Sequence, residues 1–379
     1  MLHDLLRFVA VATLAMAVSA VSQDASAGPV AKGSTLVVPT DYPTIQAAID
    51  AARPGRTVQV LPGTYTEQLF IGKDLFIVGA GMDATIIRAP ETLVPNHLGS
   101  PSIVEVHGGA RVSMSQLTVR GPGAAACGES GVLRWGIRVH SQAHLDFGFS
   151  AVRDIQNTPM ALCPRSGTAI SVGESTPGRP PASINIHHSE VTSYQSVGII
   201  VLGEGSWASI AHNTVAGPGH AGGVPTDGIE LVAGAVGTVV DNTISGNICP
   251  PDMPENCGPD FFTQFQHAGV GAGGSGPGTF ISHNRLIGNQ IGLFLSEVDK
   301  IAHNVMVDND YFGLALVGVA DGSFRIDGGE ITGSGGGLWV AAILVDMTVV
   351  LNDVDISVSG PAVEILEDGG FTGTVIGGP

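Results

Sequence analysis

The sequence predicts an all-β solenoid, built of stacked coils of short strands and entered through one capping helix. Three observations carry this. Glycine supplies 54 of the 379 residues and charged residues only 13%, with a mean hydropathy of +0.30. That mixture suits many turns joining short apolar strands and argues against long amphipathic helices or disorder. A single stretch near the N-terminus has helical periodicity. Beyond it, a short unit recurs to the end of the chain, and stacking such units is how a continuous core is buried.

Residues 1–27 are predicted to be a signal peptide. Arg7 is followed by an apolar run too short to span a bilayer comfortably, and "ASA" at 25–27 supplies a small-residue cleavage site, with "VSA" at 18–20 as the alternative. The mature chain, 28–379, is then expected to be secreted or periplasmic, with no membrane association. The whole chain carries a net charge of −18; losing Asp4, Asp24 and Arg7 leaves −17. So acidic a surface repels nucleic acid, which is excluded as a partner, and gives no long-range attraction to an anionic polysaccharide.

The helical stretch is "TDYPTIQAAIDAA", residues 40–52, with Ile45, Ala48 and Ile49 on one face. Thr40 or Asp41 is expected as its cap and Pro43 in its first turn. "TVQVLPGTYTEQLFIGKDLFIVGAG" follows, as alternating β-runs broken by turn residues.

The repeat is an aliphatic residue, two others, Asn or Ser, one other, an aliphatic residue, a loop, and then a strand that usually opens with glycine. Its polar column reads Ser115, Ser150, Ser189, Asn213, Asn242, Asn284 and Asn304, extended by Gly329 and Asn352. The strands after the loop include "GIRV", "GIIV", "GIEL", "GLFL" and "GLWV". All-β units this short imply coils stacked about 4.8 Å apart. Asn and Gly suit turns needing positive φ, and stacked Asn amides can bond from coil to coil.

"DYPTIQAAIDAARPGRTVQVLPGTYTEQLFIGKDLFIVGAG" resembles the opening segment of the pectin-lyase-like superfamily, in the version found in pectinesterases, with Gly63, Tyr65 and Glu67 matching a GxYxE motif. The later coils resemble the repeats shared by pectate lyases, polygalacturonases, uronan epimerases and periplasmic copper-site maturation proteins. The resemblance covers nearly the whole mature chain. It implies a single-stranded right-handed parallel β-helix and a carbohydrate-active scaffold, without naming a reaction. The further pectinesterase motifs are absent. "PTDGIEL" at 225–231 resembles one polygalacturonase element and aligns Asp227 with a catalytic acid, but that family's other motifs are missing.

The long insertions, 120–135, 153–167, 216–227 and 246–268, all fall in one connection and should wall a groove. Outward positions of the adjoining strand run Arg138, Ser171, Ile200, Glu230, Gly271 and Phe294. Candidate catalytic residues are Arg138 for charge stabilisation, His140 or His220 as base, and Asp227 with Glu230 as an acid pair or as calcium ligands. His267 and Asp260 are candidate substrate contacts. The late coils, from Gly292 onward, offer mainly apolar or small outward residues.

The position before the polar column reads Met114, Phe149, His188, His212, Asp241, His283 and His303. His188, His212, Asp241, His283 and His303 are therefore candidate metal ligands on consecutive coils, or else a polar column that only finishes the turn. Four cysteines in an exported chain favour disulfides, with Cys127–Cys163 and Cys249–Cys257 as the expected pairs. The expected partner is a polysaccharide and the expected state a monomer; a non-catalytic β-helix that binds glycan or metal is the alternative. No cofactor beyond calcium is suggested.

Overall fold

The computed structural model describes residues 35–125, 131–158, 166–219, 226–249, 267–275, 278–318 and 322–378. They form coils of short parallel strands. One face is an 11-stranded parallel sheet running from Leu69–Ile71 to Val363–Glu367. The other two faces join into one 22-stranded sheet, because Lys300–Val307 and Ser323–Thr332 each run through the corner between them without a break.

Alternation places the core. Along the 11-stranded sheet, Val104, Ile137, Ile170, Ile199, Ile229, Val270, Leu293, Leu314 and Leu338 stack inside the solenoid, each almost wholly buried. Their neighbours along each strand point outward. Glycine just ahead of these positions serves close approach rather than unusual φ. A Cβ on Gly228 would collide with Gly269 O and lie 2.8 Å from Ile244 Cγ2.

The helix is shorter than the apolar period suggested, Ile45–Ala51, with Ile45, Ala48 and Ile49 buried as expected. Its cap is Thr44, whose Oγ1 accepts from Ala47 N at 3.1 Å, and Pro43 lies outside the first turn. Asp41 is unavailable as a cap because its carboxylate accepts from Val37 N at 2.9 Å. Glu67 adds a second cap: its two oxygens accept from Ile45 N (3.0 Å) and Gln46 N (2.9 Å). A carboxylate at a helix N-terminus satisfies orphan donors and opposes the dipole, which gives the last residue of the GxYxE motif a structural task.

The asparagine column is a continuous buried ladder. Asn213, Asn242 and Asn284 each send both backbone N–H and Nδ2 to the Oδ1 of the next asparagine, ending on Asn304, at 3.0–3.1 Å. Ser189 N donates to Asn213 Oδ1, and Ser150 N to Ser189 Oγ. The ends of the column differ from the expected register. Leu117, not Ser115, occupies the first rung, since Ser115 pairs with Gly148. Gly329 holds its place opposite Asn304, whereas Asn352 pairs with Asp327 and lies two residues off. A second ladder, Asn247–Asn289–Asn309–Ser334, runs along another corner and is not foretold by the repeat.

Positive φ belongs to the residue before the asparagine. Phe149, His188, His212, Asp241, His283 and His303 have φ between 49° and 58°, and Gln116, not Met114, begins this column. Left-handed backbone is a conformation that His and Asp tolerate better than most residues. These side chains are exposed while the asparagines beside them are buried. The rings repeat with the coils: Phe149–His188, His188–His212 and His283–His303 are each 5.0 Å apart between centroids. His212 Nε2 is 4.0 Å from Asp241 Oδ2. The column is a surface stack generated by the turn.

Candidate active site on the outer face

The outward column is in the expected register. Glu105, Arg138, Ser171, Ile200, Glu230, Gly271 and Phe294 are Cα partners on successive strands. Arg138 and Glu230 are thus three coils apart, about 14 Å at the usual strand spacing, and do not share one reaction centre. The column continues through Ala315 to Trp339, and these two belong to an apolar cluster with Ile291 and Phe294. As expected, the outward positions of these late coils are apolar or small.

Arg138 lines a cleft of about 510 Å³ with Trp135, Ser171, Glu174, Thr176 and Ile200. Its guanidinium lies 5.0 Å from the Trp135 ring centroid and Nη1 donates to Ser171 Oγ at 2.9 Å, leaving the buried Nε without a partner. Burial pulls the Arg138 pKa down to about 10, against the opposing pull of Glu174 and Glu105, so it remains a cation at neutral pH. The described wall of this cleft comes from the loop after the strand Thr168–Gly173. His220, Asp260 and the tips of the predicted insertions lie outside the described residues.

His140 is not a free base. It is 1% exposed, with Nε2 2.6 Å from Glu105 Oε1 and Nδ1 2.7 Å from Ser141 Oγ. Both ring nitrogens are engaged, so its place is structural.

Asp227, Glu230 and His267 do come together. Asp227 Oδ1 accepts from Ala268 N at 2.9 Å, and Oδ2 lies 3.0 Å from His267 Nδ1. His267 Nε2 is buried and has no hydrogen-bond partner. A carboxylate that fixes one imidazole nitrogen and leaves the other without a partner is the arrangement of an oriented general base. Burial first, then the charge of Asp227 and a hydrogen bond between the two carboxyl groups, push the Glu230 pKa well above the usual range. Glu230 therefore keeps a proton where an isolated carboxyl would have lost it. Gly271, next in the column, leaves the surface over Glu230 open: a Cβ added to it would come no closer than 3.9 Å, to Glu230 Cγ. Tyr194, fully buried, has its pKa raised by burial and then by Asp227, and its hydroxyl meets Asn247.

The sequence missed a third group. Glu105, wholly buried, meets His140 and also His97, whose Nδ1 is 2.8 Å from Glu105 Oε2. Burial alone would raise its pKa, yet the bonds from His140 and His97 bring it below the usual range. Its signal was the outward position of "SIVEV", one coil before Arg138.

Such a stack of parallel coils, with polar ladders at its corners and a cleft on one face, is a right-handed parallel β-helix. Residues 166–354 match the family model for the right handed beta helix region, and the fold agrees with the pectin-lyase-like superfamily. The chain is similar to the A-module of the mannuronan C-5 epimerase AlgE6 of Azotobacter vinelandii, with a TM-score of 0.53 and 15% identity over 88% of this chain and 94% of that one. It is also similar to the Agl-KA catalytic domain, with a TM-score of 0.54 and 14% identity over 87% of this chain but only 64% of that one. At these identities the likeness is one of fold. No curated protein matches the chain.

Proposed function

We propose that the protein acts on an extracellular uronic-acid polysaccharide by proton transfer at carbon five, in the manner of a lyase or an epimerase. The observation that carries this is His267, held by Asp227 with its Nε2 unpartnered, beside a Glu230 that keeps its proton. His267 Nε2 takes the proton from carbon five. Glu230 gives its own proton to the glycosidic oxygen as the bond to carbon four breaks and a double bond forms. In an epimerisation a proton returns instead to the opposite face of carbon five. Hydrolysis by two carboxyl groups fits less well, because Asp227 and Glu230 bond each other while such pairs stand about 5–9.5 Å apart.

Arg138, about 14 Å along the groove by coil spacing, is a subsite for a uronate carboxylate and supplies local attraction on an acidic surface. Arg138→Ala is therefore expected to raise KM by about 10-fold or more, the loss of one charged hydrogen-bonded contact, with kcat nearly unchanged. A matching fall in kcat would place Arg138 at the reaction centre instead.

Incubation in heavy water tests the reading directly. An epimerase should carry deuterium into carbon five of a polyuronate, a lyase should leave a double bond between carbons four and five at the new chain end, and a neutral glucan should show neither. New reducing ends from a neutral glycan, without exchange, would overturn it in favour of hydrolysis; binding without any turnover favours the non-catalytic alternative.

The same reading includes export after removal of residues 1–27 and the bridges Cys127–Cys163 and Cys249–Cys257. Cys249 is buried; Cys127, Cys163 and Cys257 lie outside the described residues. Peptide mapping without reduction should recover those two pairs, and crossed pairs would refute them. Among the described residues no helix is long and apolar enough to cross a membrane.

A further inference from the structure

A second centre of chemistry lies on the early coils, apart from the groove residues that carry the proposed reaction. His97, Glu105 and His107 bring one ligand atom each to within 4.8 Å of one another. The His97 and His107 rings overlap, with centroids 3.9 Å apart and planes inclined by 31°. We propose that these three side chains form a binding site for a divalent transition-metal ion of the zinc type, with His140 as the residue that positions Glu105.

The donor set favours this class. Two imidazoles and one carboxylate suit a borderline cation such as zinc, whereas calcium and magnesium take oxygen ligands almost exclusively. A tetrahedral zinc site holds its ligand atoms about 3.4 Å apart, given bonds near 2.1 Å. The observed spread therefore needs only small side-chain rotations. His97 is able to make them, since its side chain is 55% exposed. Its Nδ1 now faces Glu105 Oε2 at 2.8 Å. Moving the ring proton to Nε2 frees Nδ1 for the ion with no net change in charge.

The surroundings are built to hold the ligands. Glu105 is wholly buried at an outward position of the strand Ser102–Val106, so it cannot swing away into water. Its Oε1 accepts from His97 N at 3.0 Å and lies 2.6 Å from His140 Nε2. His140 is fixed in turn by Ser141 Oγ at 2.7 Å. A bonded chain behind a ligating carboxylate is the support that metal sites commonly have. Room for His107 comes from Gly72, where a Cβ would lie 2.9 Å from His107 Cε1. Three protein ligands and a half-exposed His97 leave a fourth position for water or a substrate oxygen.

The test uses untagged full-length protein, dialysed against chelator and titrated with zinc, with calcium as a control. One equivalent of zinc should bind tightly, and calcium should not compete. His97→Ala, at a half-exposed position that threatens no core, should weaken zinc binding by about 10-fold or more, and His107→Ala likewise. His140→Gln should weaken it less, while leaving the stoichiometry at one. A control variant lacking His188, His212, His283 and His303 should bind as the wild type does. The proposal is overturned if the wild type binds no zinc. It is equally overturned if the His97 and His107 variants bind normally, or if uptake disappears only in the control variant, which would move the ion to the surface histidine stack.

Discussion

His267→Ala and Glu230→Gln should each lower kcat on a polyuronate by about 10²- to 10⁴-fold, the range for loss of a positioned base or acid. KM should change little, since neither residue holds the remote part of the chain. The two variants differ in their pH behaviour. In the wild type, activity should fall as pH rises through the elevated Glu230 pKa, because the donor is then spent. Stability follows the same sign. A carboxyl raised in the fold above its unfolded value of about 4.3 favours the native state below that value, and this advantage disappears as pH rises through the folded pKa. Glu230→Gln has no such proton to lose, so its melting temperature relative to wild type should climb as the medium turns alkaline. Unchanged kcat in both variants would move the chemistry away from Asp227 and its two partners.

Asn242→Leu should cost about 3–5 kcal/mol, the second large effect, because leucine fills the space but leaves at least two buried groups without partners, each worth about 1–3 kcal/mol. Asn242 Nδ2 donates to Ile210 O (2.8 Å), Val240 O (3.0 Å) and Asn284 Oδ1 (3.0 Å), and its Oδ1 accepts from both nitrogens of Asn213. Asn352→Leu is the matched control. Asn352 sits in a neighbouring register and bonds only Asp327 among the contacts described, so its loss should stay within about 1 kcal/mol. Equal melting temperatures for the two variants would show that the ladder bears no weight.

These two expectations rest on different kinds of information. The fold was legible because its signals are local and repeated. Apolar residues alternate along strands, a polar residue recurs at one place per coil, and insertions accumulate in one connection. Any chain with that period must stack its coils to bury the apolar face, so the register of Arg138, Ser171, Ile200, Glu230 and Gly271 follows from the pattern alone. Motif order also placed Asp227 and Glu230 two coils beyond Ser171.

The tertiary structure decided what each side chain meets. His140 and His267 look equivalent in sequence, yet one has both nitrogens engaged and the other has a buried Nε2 without a partner. That difference arises from residues 35 and 40 positions away, Glu105 and Asp227. The histidines of the repeat were legible as a column, but their backbone conformation was not. The left-handed turn falls on the histidine because the asparagine beside it must face inward to bond the next coil. The cluster of His97, Glu105 and His107 was invisible for a related reason. It joins an irregular loop, a strand and a turn, and no period links them. The sequence by itself determined which residues lie on the same face of the solenoid, because a repeat fixes direction. Only the folded chain determined which of them touch, because hydrogen bonds and burial depend on ångström distances between residues far apart in sequence.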